Sequence, residues 1–417
     1  MRLGGYIAPA MPTIVPLNSA ADPQAHPARA TLDGIDEIAE SLALQLAATA
    51  VQRDRAGGHA AAERELIRSS GLLALTVPAE FGGLGSDWVG FYRVVRRLAQ
   101  ADSALAHVFA FHHLQLATVR LFGNAAQQAQ LLRETIERRA FWGNALNPAD
   151  IRAFATEAEG GWHVEGLKTF CSGSVGSDYL CLSAWHHGTQ SALVAAVPTL
   201  RRGITVAADW DAFGQRQTDS GTVSFDQVFI AHDEVLQAPG TAATPRGSLR
   251  PLVSQLILTN LYLGIAQGAF DEARRYTREH TRPWSTSGVD RATDDPFVQH
   301  RYAELWLLIR PAVALADEAA QRLDAAFKRG ASLTADDRGA VAIAVAEAKV
   351  LAHRASVEVS SQLFELTGAR STSERHGLDR FWRNARVHTL HDPVDYKLRD
   401  LGRYLLDGRV PEPTPYS

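Results

Sequence analysis

Two histidines and an aspartate lie close together in the segment WRNARVHTLHDP, residues 382–393. His388 and His391 are three residues apart, and on a helix this spacing places both imidazoles on one side. Asp392 adds a carboxylate, and Pro393 ends the helix. Three interpretations stay open: a metal site, buried core histidines, and a site that handles protons near neutral pH. A metal site needs further converging ligands, and the sequence contains no HExxH motif.

Two further segments combine small residues with polar groups that suit a flat ligand. KTFCSGSVGSD, residues 168–178, contains Phe170, the Ser172 hydroxyl and glycines that permit close backbone approach. FWGNALNPAD, residues 141–150, places the Asn144 amide at a predicted strand start. From residue types alone, each segment is either a surface turn or part of a binding site.

Nucleotide-binding motifs do not account for these residues. GWHVEGLKT, which contains Lys168, has the alternating pattern of a strand, whereas a P-loop must lead into a helix. GIAQG, residues 264–268, lacks the third glycine and the preceding strand of a dinucleotide-binding fingerprint. No GxSxG motif of a hydrolase nucleophile occurs.

Composition excludes several classes of function. The 417 residues carry a formal net charge of −4, which gives no basic face for nucleic acid. No uninterrupted apolar run reaches the roughly 18 residues that a membrane span needs. Cys171 and Cys181 are too few for a disulfide framework or a cysteine-based zinc site. Residues 1–32 are broken by prolines and lack a signal-peptide pattern, so we expect a flexible lead-in and a cytoplasmic protein.

The elements that position the candidate residues follow the order helices, strands, helices. Residues 33–140 have apolar side chains at steps of three and four, which predicts an N-terminal helical domain. Residues 141–247 contain short alternating runs between turn residues, which predicts a central β domain. Residues 248–417 return to the helical period, with Gly368 placed to cap the clearest helix, and predict a C-terminal helical bundle. The predicted fold class is α+β.

Several blocks of sequence resemble the acyl-CoA dehydrogenase fold from residue 33 onward. The blocks are GLLALTVPAEFGGLG, GWHVEGLKTFCSG, AFGQRQTDSGTVSFDQVFI, LGIAQGAFDEA and FELTGAR. The resemblance implies an N-terminal helical domain, a central β-barrel-like domain and a C-terminal helical bundle. Within this superfamily, FCSGSVGSD, RQTDSG and HGLDRFWRNARVHTLHDPVDYK are most similar to two-component flavin-dependent monooxygenases of the dibenzothiophene monooxygenase type.

The resemblance to the dehydrogenases themselves weakens at the catalytic base. Many acyl-CoA dehydrogenases have a Tyr-Glu-Gly-Thr-like motif whose glutamate removes the α-proton of the substrate. This chain reads LHDPV there, with Asp392 as a shorter carboxylate and Pro393 in place of the glycine. The flavin-contacting loop of the dehydrogenases is changed to LNPAD after Asn144. Oxygenase relatives have a histidine at the position of His391, which favours the oxygenase branch.

The resemblance also assigns roles around the flavin. His391 would act as the proton donor, tuned by His388 or Asp392. Ser172 and Asn144 would hydrogen-bond the reactive edge of the isoalloxazine.

Three further residues enter only through the resemblance. Phe170 would lie beside the flavin ring, and Arg282 would bind flavin phosphate from a neighbouring subunit. This implies a homo-oligomer, commonly a tetramer. His112 matches a histidine that lines the substrate pocket, whereas His113 would point about 100° away on a helix.

The implied activity needs two proteins. A separate NAD(P)H:flavin reductase would supply reduced flavin, FMNH2 in preference to the FAD form, with O2 as co-substrate and no metal. A C4a-(hydro)peroxyflavin would then oxygenate a small or aromatic organosulfur substrate, such as dibenzothiophene, a sulfone or a sulfinate. The alternatives are an acyl-CoA dehydrogenase with tightly bound FAD, an N-oxygenase of an amine or amino sugar, and a non-catalytic helical binding protein. Neither nucleic acid nor a membrane is an expected partner.

Overall fold

The computed structural model describes residues 34–417, so the expected lead-in at residues 1–32 lies outside the described residues. Within the described range the chain forms ten α-helices and eight β-strands. The first helices are α1 (Ile35–Ala56), α2 (Ala61–Ser69), α3 (Trp88–Ala101), α4 (Ser103–Phe122) and α5 (Ala125–Arg138). The strands are β1 (Trp142–Ala145), β2 (Ala153–Ala158), β3 (Gly161–Lys168), β4 (Tyr179–His186), β5 (Ser191–Pro198), β6 (Ile204–Val206), β7 (Val223–Ala231) and β8 (Val235–Gln237). The remaining helices are α6 (Leu249–Glu279), α7 (Pro296–Arg329), α8 (Ala335–Thr367), α9 (Asp379–Thr389) and α10 (Val394–Asp407). The predicted order of helices, strands and helices is confirmed.

Helix α4 lies in the core and carries three histidines. Asp102 caps its N-terminus, because its carboxylate accepts hydrogen bonds from the backbone N–H groups of Ala104 and Leu105 at 3.0 and 3.1 Å. The helix is apolar around most of its circumference, so nearly all of its side chains are buried. Polar groups on α4 must therefore bond to protein or face a cavity.

Helix α6 packs against α3, α4, α7 and α8 at the centre of the helical core. By length and composition it is apolar enough to cross a membrane, but 89% of its most apolar stretch is buried inside the protein. Gly264 lies where α6 approaches α3, and a Cβ there would be 2.4 Å from the Cβ of Ala99. A Cβ on Gly268 would be 2.3 Å from the carbonyl oxygen of Gln100. The glycines of GIAQG therefore permit close helix packing.

The strands form a mixed sheet in the order β6-β7-β3-β2-β4-β5-β8, and β1 pairs in parallel with β4 outside this path. Among the described strands β6 and β8 are the edges, so the sheet is open rather than closed into a barrel. The register of β1 places Asn144 opposite Cys181. Its backbone N–H donates to the carbonyl of Ser172 at 3.0 Å, which joins β1 to the loop after β3.

The histidine segment spans the end of α9 and the link to α10. His388 is in the last turn of α9, which ends at Thr389, whereas His391 lies in the link. The backbone N–H of His391 donates to the carbonyl of His388 at 3.0 Å, so a tight final turn holds the two residues close together. Pro393 stands immediately before α10 and cannot continue the hydrogen bonding of α9.

Candidate active site

A cavity of about 560 Å³ opens between α4, β1, the start of α6 and the end of α9. Five of the sequence-predicted residues line it, namely Asn144, Phe170, Ser172, His388 and His391. A wider surface groove of about 1110 Å³ between α5 and β7 contains none of them. Among the residues that the structure describes, no aspartate or glutamate lines the smaller cavity.

Asn144 presents a hydrogen-bond donor to this cavity. Its Oδ1 accepts from the Nε2 of Gln115 at 3.4 Å and from the backbone N–H of Leu146 at 3.3 Å. These two donors orient the amide, so its NH2 group remains available for a ligand.

Ser172 presents an acceptor, because a chain of hydroxyls uses its proton. Thr218 donates to the carbonyl of Gln215 at 3.1 Å, since a carbonyl can only accept. Ser220 lies 2.8 Å from Thr218 and 2.8 Å from Ser172. If each hydroxyl donates to the next in this direction, the lone pairs of Ser172 are left for a donor in the cavity.

Phe170 forms part of the rim of the cavity and is 60% exposed. Its backbone has a φ of 58°, a conformation that a bulky side chain rarely adopts. The ring meets Trp210 edge-on at 6.0 Å between centroids. Such a strained, exposed aromatic is typical of a residue that contacts a ligand.

His391 is coupled to a buried ion pair. Its Nδ1 lies 2.9 Å from Oδ1 of Asp392, and the same oxygen accepts from Nζ of Lys349 at 2.5 Å. Burial alone would raise the pKa of Asp392, but the hydrogen bonds from His391 and Lys349 hold it well below its usual range. Burial lowers the pKa of Lys349 to about 8, against the opposing effect of Asp392. An ionised Asp392 holds the proton of His391 on Nδ1, so Nε2 is the nitrogen left for chemistry.

His388 differs from His391 in having no hydrogen-bond partner on either ring nitrogen among the described residues. Burial, followed by the charges of His391 and Lys349, lowers the pKa of His388 to about 3. Its ring centroid is 4.9 Å from that of His107, which also has two unpartnered nitrogens. Burial likewise holds the pKa of His107 well below its usual value. The two imidazoles are therefore neutral near pH 7, and neither can serve as a proton donor in its cationic form.

His112 does not reach the cavity, contrary to the expectation from the resemblance. The ring is fully buried, its Nε2 bonds to the carbonyl of Leu73 at 2.9 Å, and its Nδ1 accepts from the backbone N–H of Trp142 at 3.2 Å. His107 takes the cavity position instead. The two histidines are five residues apart on α4, which is about 140° around a helix.

The spacing along α4 gives a signal that would have identified His107. His107, Phe111 and Leu114 recur at steps of four and three and all line the cavity. His107 stacks on Phe111 with centroids 3.9 Å apart.

Arg282 lies outside the cavity, in the segment between α6 and α7, and its side chain is exposed. It forms no salt bridge with the described residues of its own chain. The expected role at a neighbouring subunit's flavin stays a prediction.

Residues 411–417 close one side of the cavity. Lys397 and Arg338 donate hydrogen bonds to the carbonyls of Tyr416 and Ser417 respectively. The ring of Tyr416 meets His391 edge-on, with centroids 5.8 Å apart. His391 nevertheless remains 35% exposed, so the segment covers only part of the imidazole.

The lining fits an isoalloxazine, which is a flat apolar ring system with polar atoms along one edge. Phe170, Trp210 and Phe213 supply aromatic surface, whereas Asn144 and Ser172 supply one donor and one acceptor. Within residues 34–417, no group of three or more His, Cys, Asp or Glu side chains is arranged to hold a metal ion.

Comparison with known protein families covers most of the chain. The model of the acyl-CoA dehydrogenase N-terminal domain matches residues 32–139, and that of the C-terminal domain matches residues 256–396. A probable FMNH2-dependent monooxygenase, SfnC of Pseudomonas putida, is 46% identical over 381 residues, covering 91% of this chain and 96% of the relative.

Two solved structures have the same fold. The methanesulfinate monooxygenase MsuC of Pseudomonas fluorescens has a TM-score of 0.90 at 47% identity, covering 91% of this chain and 99% of that one. TdsC of Paenibacillus sp. A11-2, a dibenzothiophene monooxygenase, was solved with FMN and indole. That complex has a TM-score of 0.88 at 41% identity and covers 92% of this chain and 99% of TdsC.

Proposed function

The chain belongs to the acyl-CoA dehydrogenase family, and within that family we propose that it is a two-component flavin-dependent monooxygenase. It takes reduced FMN from a separate NAD(P)H-dependent reductase and uses O2 to oxygenate an organosulfur compound. Relatives at 46% and 47% identity are a probable FMNH2-dependent monooxygenase and a methanesulfinate monooxygenase, which supports this reaction class.

No carboxylate lines the described cavity wall, and this observation favours an oxygenase over a dehydrogenase. A dehydrogenase needs a carboxylate that can remove an α-proton from the substrate. Asp392 is only 8% exposed and is bonded to both His391 and Lys349, so it is not free to act as that base. A histidine occupies the position instead, and once its unbonded Nε2 is protonated it can donate that proton to oxygen.

When bound, reduced FMN would supply the two electrons that activate O2, and one oxygen atom of O2 would be transferred to the substrate. We assign the proton to His391, which donates from Nε2 while its Nδ1 stays bonded to Asp392. The carboxylate stabilises the imidazolium before transfer, and Lys349 keeps that carboxylate ionised. General acid catalysis by a positioned side chain typically contributes about 10² to 10⁴ in rate.

Asn144 and Ser172 hold the flavin edge in this proposal. Ser172 accepts from an N–H of the reduced ring, and Asn144 donates to a ring carbonyl or nitrogen. Phe170 packs beside the ring system. His107, Phe111 and the segment 411–417 limit the entry of water, which would divert the reaction to hydrogen peroxide.

The proposal also includes the oligomeric state of the protein and its cellular compartment. Arg282 binds the flavin phosphate of a neighbouring subunit in a homotetramer. Each subunit consists of three domains, at about residues 33–140, 141–247 and 248–417. The exposed guanidinium and its position outside the cavity of its own chain support this arrangement. Because the reaction needs NAD(P)H-derived electrons, we place the protein in the cytoplasm.

Replacing His391 by Phe tests the proposal. We expect formation of oxygenated product to fall by about 10²-fold or more, while oxidation of reduced FMN continues and releases hydrogen peroxide. Product and peroxide are measured together in the reductase-coupled assay. His300→Phe is the matched control, because His300 is an exposed histidine on α7 that pairs with Glu304. Product formation within a few-fold of the unaltered protein would show that His391 is not the proton donor.

A second measurement separates the oxygenase from the dehydrogenase. The purified protein should bind reduced FMN anaerobically, and acyl-CoA should not bleach an oxidised flavin bound to it. Bleaching by acyl-CoA would overturn the oxygenase proposal.

A further inference from the structure

Arg250, the second residue of α6, lies where two cavities meet. One is the candidate active site. The other is an outer cavity of about 600 Å³ between the sheet and the segment 413–415. The two cavities share Leu146, Pro148, Arg250 and Pro415 as a common wall. A molecule that passes from the outer cavity to the active site therefore meets the guanidinium.

The guanidinium has no counter-charge among the described residues. Its Nε donates to Oγ1 of Thr118 at 2.8 Å, and this is its one hydrogen bond to the described protein. Burial lowers the pKa of Arg250 to about 10, so it remains a cation near neutral pH. Arg250 is half-buried, and its two terminal NH2 groups have no hydrogen-bond partner among the described residues, so they are suited to bind the two oxygens of an oxyanion.

The surroundings favour an anion over a neutral ligand. Asp150 is the one acidic residue among those described that line either cavity, and Arg152 binds its carboxylate at 2.6 to 2.8 Å. Lys168 also lines the outer cavity and adds a second cationic group. The outer cavity thus carries excess positive charge, which raises the local concentration of small anions.

Histidines on the other side of the active site are compatible with this ligand. His107 and His388 are neutral, and each has ring nitrogens without a protein partner. A neutral imidazole can donate one N–H to an oxyanion without competing for Arg250.

We propose that Arg250 binds the anionic head group of the substrate and thereby selects an alkanesulfinate over a neutral aromatic thioether. This inference rests on the proposed monooxygenase function and narrows its substrate. In the balanced reaction RSO2⁻, O2 and FMNH2 give RSO3⁻, FMN and H2O. A sulfur–oxygen bond forms and the bond of O2 breaks. The reduced flavin is oxidised, and its two hydrogens leave in the water.

A neutral aromatic thioether satisfies this site less well. It offers no charged oxygen to the guanidinium of Arg250, whereas the two oxygens of a sulfinate match the fork of that group. Lysine carries the same charge but cannot form the paired contact, so charge and geometry can be tested separately.

Binding can be measured without turnover. Methanesulfonate is an unreactive oxyanion, and dimethyl sulfone is its neutral counterpart of nearly the same shape. By calorimetry, with and without oxidised FMN, we expect methanesulfonate to bind at least about 10-fold more tightly than dimethyl sulfone. Arg250→Met should remove that difference and leave the sulfone unaffected, and Arg250→Lys should retain part of it.

Arg246→Met is the matched control. Arg246 lies four residues before Arg250, donates to the carbonyl of Arg120 at 3.0 Å and lines neither cavity. The Arg246→Met protein should bind methanesulfonate as tightly as the unaltered protein does. Unchanged sulfonate affinity in Arg250→Met, or equal affinity of the unaltered protein for sulfonate and sulfone, overturns the assignment. Should Arg250→Met fail to fold, the comparison of the two ligands and the lysine variant still decide it.

Turnover distinguishes this inference from the proposed function. With reductase and FMN, the unaltered protein should have a higher kcat/KM for methanesulfinate than for dibenzothiophene. Arg250→Met should lose that preference while O2 consumption with reduced FMN persists. Oxidation of dibenzothiophene but not of methanesulfinate would overturn the role of Arg250 and leave the monooxygenase function standing. Failure to oxygenate either compound, with no effect of reduced FMN on binding, would count against the function itself.

Discussion

The chemistry of His391 depends on two side chains, Asp392 and Lys349, of which only Asp392 is near it in the sequence. Asp392 is the next residue and is visible in the sequence. Lys349 lies on α8, 43 positions from Asp392, and the fold brings it to the same carboxylate oxygen. Together they fix one tautomer of the imidazole, because Lys349 keeps Asp392 ionised and the carboxylate then accepts the proton on Nδ1. A lone histidine at this position would lack this constraint.

Asp392→Asn tests this coupling. The amide keeps the size of the side chain but removes the charge that stabilises the imidazolium, so we expect product formation to fall by about 10-fold or more. Binding of reduced FMN should change little, because Asp392 does not line the cavity. Asp395→Asn, an exposed carboxylate in the first turn of α10, is the control and should retain full activity. An Asp392→Asn variant with normal product yield would show that the carboxylate is not needed for proton donation.

Residue types identified candidate segments, and the family resemblance was needed to predict that most of them belong to one site. Asn144, Ser172 and His391 share one cavity as expected. The resemblance pointed to His112, whereas His107 lies in the cavity, because histidines five residues apart on one helix point in directions about 140° apart. Arg250 was missed for a different reason: its significance comes from a partner that is absent, and a sequence does not show which charges lack partners.

At the scale of elements, glycine has different structural roles in α6 and α10. Gly264 lies between α6 and α3, where a Cβ would be 2.4 Å from that of Ala99 and 2.7 Å from the carbonyl of Arg96. Gly402 lies on α10, and no atom of residues 34–417 would be in contact within 4 Å of a Cβ there. The glycines of GIAQG therefore serve helix packing. The sequence was enough to exclude a nucleotide-binding motif there but did not indicate this packing role.

Alanine substitution at these two glycines should therefore change stability in opposite directions. Gly264→Ala forces α3 and α6 apart and should lower the free energy of unfolding by about 1–3 kcal/mol. Gly402→Ala removes only backbone freedom in an exposed helix and should raise it by about 0.5–1 kcal/mol. Thermal unfolding of both variants provides the measurement. A Gly264→Ala protein as stable as the parent would mean that the α3–α6 contact relaxes without cost.

For the whole molecule, the order of helices, sheet and helices follows from the spacing of apolar residues alone. Apolar residues recur about every 3.6 positions in a helix and every second position in a strand, so the two patterns are distinct. The open form of the sheet does not follow from that pattern. Whether the edges β6 and β8 meet depends on twist and strand stagger, and these are set by packing rather than by alternation. Burial of the histidines is likewise a property of the assembled core.

Four buried histidines give the folded protein a specific dependence on pH. Burial lowers the pKa of His112 to about 4 and that of His388 to about 3, and it holds those of His107 and His113 well below 6.5. A folded-state pKa below the unfolded value means that the stabilisation is complete above pH 6.5 and is lost as the pH falls toward the folded pKa. At pH 5, His112 alone should account for a loss of about 2 kcal/mol relative to neutral pH.

The window between pH 6.5 and pH 5 suits this measurement, because the carboxylates with resolved pKa shifts, apart from Asp271, titrate lower still. His353 and His376, whose pKa values are also lowered by burial, add to the effect in the same direction. Well below pH 6.5 the unfolded chain binds about four more protons than the folded one at these histidines, a slope of about 5 kcal/mol per pH unit. Melting temperatures measured by calorimetry across this window should fall steeply. His388→Phe removes one of the four protons without breaking a hydrogen bond and should reduce the slope by about a quarter, whereas the exposed His300→Phe should leave it unchanged. A flat melting temperature from pH 6.5 to pH 5 would mean that these imidazoles accept protons in the folded state, which requires water or a counter-charge inside the core.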